Sequence, residues 1–210
     1  MADKIAPIRE KVSENPDDKE AQSEFARALF NSAMDLSEEA KYEEADKLID
    51  ELIEFTDNHR ENSNVLLYYG QTILNMMPIY FGRSSQTDVK GKINHLRELV
   101  SVTQDKKLQE ILAMILVNAI YDFSLSSQTP SINEFSLELN DLARTNPKNA
   151  NIQTAGAKGL MNTVLYFLQK HDHSAALNHF KNLMKIIEAN PKEEMVDSRK
   201  LLELKEYFKY

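Results

Sequence analysis

The chain has 210 residues, 42% hydrophobic and 28% charged, with a net charge of −8. That balance is too apolar for a disordered chain, and the acidic excess speaks against nucleic acid, which needs a basic face. Cysteine is absent, so disulfides, thiolate metal sites and thiol nucleophiles are excluded.

Gly (5) and Pro (6) are scarce, as in a mostly helical chain. Residues 3–14 place Ile8 and Val12 at helical spacing and end at Asn15-Pro16. Asn-Pro stops an apolar-periodic stretch because the residue before proline avoids the α region. The pair recurs at Asn146-Pro147 and Asn190-Pro191. Stepping on from Pro16 gives Arg60, Thr103, Pro147 and Pro191, at spacings of 44, 43, 44 and 44. In that phase a small residue recurs as Ala26, Gly70, Ala113 and Ala157. Leu29, Ile73, Leu116 and Leu160 follow three positions on, then Phe30, Leu74, Val117 and Met161. Later in each unit come Ala45, Val89, Ile132 and Ala176, and then Leu52, Leu96, Leu139 and Leu183. Offsets of 3, 4 and 7 mark helices with one buried face.

Each unit is therefore expected to hold a helix A and a helix B. In the first unit these run from Asp18 to Leu36 and from Tyr42 to Thr56. In the second, Pro78 should interrupt helix A and leave residues 79–88 as the longest inter-helix loop. Its Ile79, Tyr80, Phe81 and Arg83 either tuck under the hairpin, the favoured reading, or form a protruding contact patch. Leu201, Leu204 and Phe208 fall in helix A columns after Pro191. The expected fold is an all-α solenoid of about ten antiparallel helices in one domain, residues 1–210. It comprises a half repeat 3–15, repeats 16–59, 60–102, 103–146 and 147–190, and a terminal helix 191–210. No stretch looks like a signal peptide, and the longest apolar run, Ile111 to Val117, is too short to cross a membrane. Cytoplasm is the expected location.

Tyr42-Glu43-Glu44-Ala45 opening helix B, Tyr69-Gly70 within helix A, and the closing Asn-Pro resemble the tetratricopeptide family. The resemblance spans nearly the whole chain, although the family repeat is 34 residues and its tryptophan is missing here. It implies a right-handed α-α superhelix whose A helices line a concave groove, and a role as a binding scaffold.

Fifteen residues into every unit stands an asparagine: Asn31, Asn75, Asn118 and Asn162. With 17 Asn in 210 residues, four in one of about 44 columns is a chance of roughly a few in a thousand. On a helical wheel the column lies opposite the apolar arc. Asn is a poor mid-helix residue, and its amide can pair with any peptide backbone. One turn before the ladder lie Arg27, Gln71, Met114 and Lys158, and one turn after it Asp35, Ile79, Asp122 and Tyr166. Tyr68, Ile111 and Ile115 are expected on the same side. The candidate partner-binding residues are Asn31, Asn75, Asn118, Asn162, Arg27, Tyr68, Lys158 and Tyr166. The other reading has each Asn bonding to the next repeat and setting the stacking angle.

Catalytic and cofactor signals are missing, so neither catalysis, cofactor nor metal is expected. His171-Asp172-His173 falls in the predicted turn between the last A and B helices and reads as a solvated turn. Gly82-Arg83-Ser84-Ser85 lacks the lysine of a phosphate loop. Acidic residues are spread out, with no acid and base pair. The expected function is a non-enzymatic adaptor holding a peptide or protein segment, without nucleic acid or membrane as partner. The alternative is an assembly subunit that oligomerises or stacks in a larger complex.

Overall fold

A computed structural model describes residues 5–83, 86–191 and 193–210. Among these, ten α-helices and no strand occur. They are α1 (Ala6–Glu14), α2 (Lys19–Glu38), α3 (Tyr42–Asn58), α4 (Ser63–Gly82), α5 (Gln86–Thr103), α6 (Lys106–Leu125), α7 (Thr129–Thr145), α8 (Ala150–Gln169), α9 (His173–Ala189) and α10 (Ser198–Phe208). The A helices α2, α4, α6 and α8 are each 20 residues long. The expected bounds of the first pair fall within two residues of those observed.

Short polar signals set these bounds. Every A helix opens on an aspartate or asparagine whose side chain accepts from backbone N–H groups of the first turn. Asp18 accepts from Glu20 and Ala21, Asn62 from Asn64, Asp105 from Lys107 and Leu108, and Asn149 from Asn151 and Ile152. The A-to-B turns close alike at Ala40, Ser127 and His171, whose φ values are 57°, 57° and 59°. In each, the next N–H bonds back five residues: Lys41 to Leu36 O, Gln128 to Phe123 O, and Asp172 to Phe167 O. This is the Schellman closure, here without the glycine that favours the left-handed region.

The chain divides into two compact units, residues 1–112 and 113–210, with the boundary inside α6. In the first unit α2 packs on α1, α3 and α4, and α4 packs on α3 and α5. In the second, α8 packs on α7 and α9. Most predicted columns are buried: Ala26, Gly70, Ala113 and Ala157, then Leu29, Ile73, Leu116 and Leu160; of the column Phe30, Leu74, Val117 and Met161 only Met161 is fully buried, the other three lying at the edge of the core. Ala45, Val89, Ile132 and Ala176 are buried too, as are Leu52, Leu96, Leu139 and Leu183. In the second unit Leu204 is buried, and Leu201 and Phe208 pack on the same core as Leu160, Phe180 and Leu183.

The predicted loop over residues 79–88 is not formed. α4 runs through Pro78 to Gly82, and α5 begins at Gln86; residues 84 and 85 lie outside the described residues. A mid-helix proline costs about 3 kcal/mol. Pro78 itself is exposed, whereas Met76, Met77 and Tyr80 around it are buried. Burying each such side chain returns about 1.5–3 kcal/mol, so the core face outweighs the lost bond. The tucked reading holds for Tyr80. Arg83 donates to Asp46 (2.8 Å) and sits over the Tyr42 ring at 5.2 Å.

Two stability outcomes follow from this packing. Leu96→Ala and Leu139→Ala should each lower stability by about 2–5 kcal/mol in chemical denaturation, since each empties a fully buried site. Ala40→Gly should raise it by about 0.5–1 kcal/mol by removing the Cβ cost of a left-handed residue; a lower melting temperature for that variant would contradict the turn geometry.

A one-residue-wide strip on the A helices

Packing leaves little of each A helix in solvent. Between Ala21 and Ser37 only Arg27, Asn31 and Asp35 are exposed, and between Val65 and Phe81 only Asn75 and Pro78. On α6, from Leu108 to Phe123, the exposed residues are Met114, Asn118 and Tyr121. From Ile152 to Leu168 on α8 it is Lys158 alone, with Asn162 half-buried one turn on. On each A helix the ladder asparagine thus sits in a strip about one side chain wide. Among the described residues no hydrogen bond reaches any of the four side-chain amides, while the buried amides elsewhere are bonded.

Charge is nearly absent from two of these helices, although α2 carries six charged residues and α6 four. α4 contains no charged residue, and Lys158 is the single one on α8. The B helix α3, of 17 residues, holds Glu43, Glu44, Asp46, Lys47, Asp50, Glu51, Glu54 and Asp57.

In the first unit Arg27 and Asn31 line an open depression of about 390 Å³ on α2, with Ile8 of α1 at its edge and Glu24, Ala28, Ser32 and Asp35 around it. Tyr68 is half-buried, its ring 6.1 Å from Phe30 across the α2–α4 contact. In the second unit Lys158 and Asn162 share the strip of α8. Tyr166 does not join them. It is only 3% exposed, edge-on to Phe167, and its hydroxyl is 2.5 Å from Thr129 Oγ1. Ile111 and Ile115 are buried as well, and Ile111 packs against Gly70 of α4, which covers the face the wheel leaves open.

The stacking role expected as the alternative for the ladder is carried by other amides. Gln22 donates to Pro16 O (2.7 Å) and accepts from Asn62 Nδ2 (2.8 Å), which also donates to Lys19 O. Gln153 repeats the arrangement: it donates to Asn146 O (3.0 Å) and accepts from Asn190 Nδ2 (3.1 Å). The first clasp ties a helix A to the opening turn of the next repeat; the second ties a helix A to the closing turn of the preceding repeat and to Asn190 at the end of its own. The spacing of Asp18, Asn62, Asp105 and Asn149 is a sequence signal for the caps that the Asn-Pro phase passes over.

Two other polar groupings have structural duties. His95 Nδ1 lies 2.7 Å from the Tyr69 hydroxyl and Nε2 lies 3.2 Å from Asp57, which also pairs with Arg60. The order Tyr, His, Asp is that of a proton relay, but Tyr69 is fully buried, and burial holds its hydroxyl protonated far above its usual range. In the HDH segment, His171 makes the left-handed turn, Asp172 caps Ala175, and His173 Nδ1 lies 2.6 Å from the Tyr207 hydroxyl.

Among the described residues α6 is the one helix long and apolar enough to cross a membrane. Half of it is buried, and in the second unit its Ile120 and Phe123 meet Gly159 and Phe135, which is core-helix packing. Compared with protein-family models, with curated proteins and with solved structures, the chain matches none.

His179 gives this region a pH dependence. It is buried, stacked on Phe167 at 5.5 Å, with Nε2 3.2 Å from Asn133 Oδ1 and Nδ1 without a partner. Burial lowers its pKa below the ordinary 6.5. The stability from holding it neutral is complete above about 6.5, the unfolded-state value, and is lost as pH falls below that. Melting temperature should therefore drop between pH 7.5 and 5.5 in the wild type and drop less in His179→Gln. Equal slopes would show that His179 is not the titrating group.

Proposed function

We propose that the chain is a non-enzymatic interaction adaptor of tetratricopeptide-like kind, which holds a peptide or protein segment of a cytoplasmic partner along the strip of its A helices. Each unit offers its own ladder positions, Asn31 and Asn75 with Arg27 and Tyr68 in the first, Asn118 and Asn162 with Lys158 in the second. One observation carries the reading. The four ladder amides are unbonded, while the Gln22–Asn62 pair and the bond from Gln153 to Asn146 O already join the repeats. A free side-chain amide offers both donor and acceptor to a partner's backbone whatever its side chains. Tyr166, buried, is withdrawn from the set.

Tyr121 and Leu125, 56% and 71% exposed, favour one other reading, in which the chain assembles with itself or into a larger complex. Solution mass separates the two: a monomer favours the adaptor, a stable oligomer the assembly.

Replacing Asn75 and Asn118 together with Ala removes no core contact. The melt should be unchanged or higher, by up to about 0.7 kcal/mol per site. Affinity for partners captured from native lysate should fall by about 0.5–1.5 kcal/mol per lost neutral hydrogen bond. A melt several degrees lower, with binding lost only in proportion, would return the ladder to a stacking role.

A further inference from the structure

On α6 the exposed positions of the second unit are Met114 (41%), Asn118, Tyr121 (56%) and Leu125 (71%). Their offsets are 0, 4, 7 and 11, the seam spacing by which two helices pack side by side. Same-face residues recur about every 5.4 Å along a helix but about every 6.7 Å along an extended chain. Over the three turns of this seam an extended segment would slip out of phase by about 4 Å, whereas a second helix keeps step. A lone asparagine inside such a seam is the residue type that fixes register between paired helices, and Asn118 stands there.

Beside the seam, one turn beyond Asn118 and about 40° around the helix from it, is Asp122. Its side chain is half-buried, with no hydrogen bond or ion pair among the described residues. Burial alone moves its carboxyl above the usual carboxylate range, so the group sits at a cost that no neighbour in the chain offsets. Positions flanking a helical seam are where opposite charges select a partner. A second copy would bring the same net charge of −8 and the same unpaired carboxylate. A basic helix of another protein matches this surface better.

We propose that the outer face of α6 in the second unit docks an amphipathic helix of a partner protein, with a lysine or arginine of that helix set against Asp122. This deepens the adaptor reading and rests on it: it specifies helix-on-helix recognition at this face in place of an extended peptide.

The test uses a displayed library of random 16-residue peptides, selected on the full-length chain and counter-selected on Leu125→Glu to confine binding to this face. Enriched peptides should carry apolar residues at the same 0, 4, 7 and 11 spacing with a flanking Lys or Arg, and should become helical on binding. Changing that cation to Glu should weaken binding about tenfold, and Asp122→Lys should reverse the preference. Asp122→Asn, which removes an uncompensated charge, should melt no lower than the wild type, so a loss of affinity in it cannot be blamed on unfolding. Enrichment of proline-containing, extended peptides that depend on Asn118 but not on Asp122 would overturn the helix inference and leave the adaptor standing. An absence of enrichment, together with self-association abolished by Leu125→Glu, would overturn both.

Discussion

Everything on the outside of this protein follows from how thoroughly its A helices are walled in. Each packs against a B helix, and α2 and α4 pack against each other as well, so only about one residue per turn reaches solvent. A helix buried around most of its circumference must be apolar around most of it, which is why α4 carries no charge at all. Small residues recur where backbones approach closely. At Gly159 an added Cβ would overlap Leu139 Cδ1 and stand 3.3 Å from Ile120 Cδ1, so bulk there would push on the buried leucine column. The narrow strip left over has room for a single row of side chains, and asparagine takes a central place in that row on each A helix.

The two kinds of amide in the structure answer different demands. Gln22, Asn62 and Gln153 are buried, and a buried amide without partners would cost about 1–3 kcal/mol, so each is fully engaged between repeats. The ladder amides lie in or near solvent and need no such compensation. Asp57, a half-buried carboxylate, is likewise engaged. Its burial would raise its pKa, but the hydrogen bonds from Arg60 and His95 bring the carboxyl below its usual value. Asp122 receives no comparable help.

Much of the fold could be read from periodicity because the burial pattern repeats with the chain. Leu52, Leu96, Leu139 and Leu183 recur in phase and are all fully buried. The exposure of Asn31, Asn75 and Asn118 follows from the same wheel. What the wheel misses comes from neighbours it does not contain. Ile111 lies on the ladder side of its own helix, yet α4 approaches there at Gly70 and covers it. Tyr166 is one turn from Asn162, but its ring reaches Phe167 and its hydroxyl finds Thr129, so a long side chain leaves the face its Cα suggests. Pro78 reads as a stop because local propensity disfavours it, while the burial of Met76, Met77 and Tyr80 is a tertiary effect invisible to that rule. The turns at Ala40, Ser127 and His171 are silent in the sequence because none has the glycine that ordinarily marks a left-handed residue.

The place where the two compact units meet along the chain has a practical consequence. Leu112 and Ala113 are consecutive residues in the interior of α6, so no loop or linker separates the units. A fragment cut there would begin or end in mid-helix, with four backbone N–H or C=O groups stripped of partners at the new terminus. It would also carry a shortened α6 whose remaining seven or thirteen residues are near or below the length at which a helix holds itself together in water. Dissecting the protein for expression therefore means choosing between leaving α6 whole in one fragment and duplicating it in both. The natural excision points are the turns that bound it, at residues 104–105 and 126–128, and not the Leu112–Ala113 bond inside it.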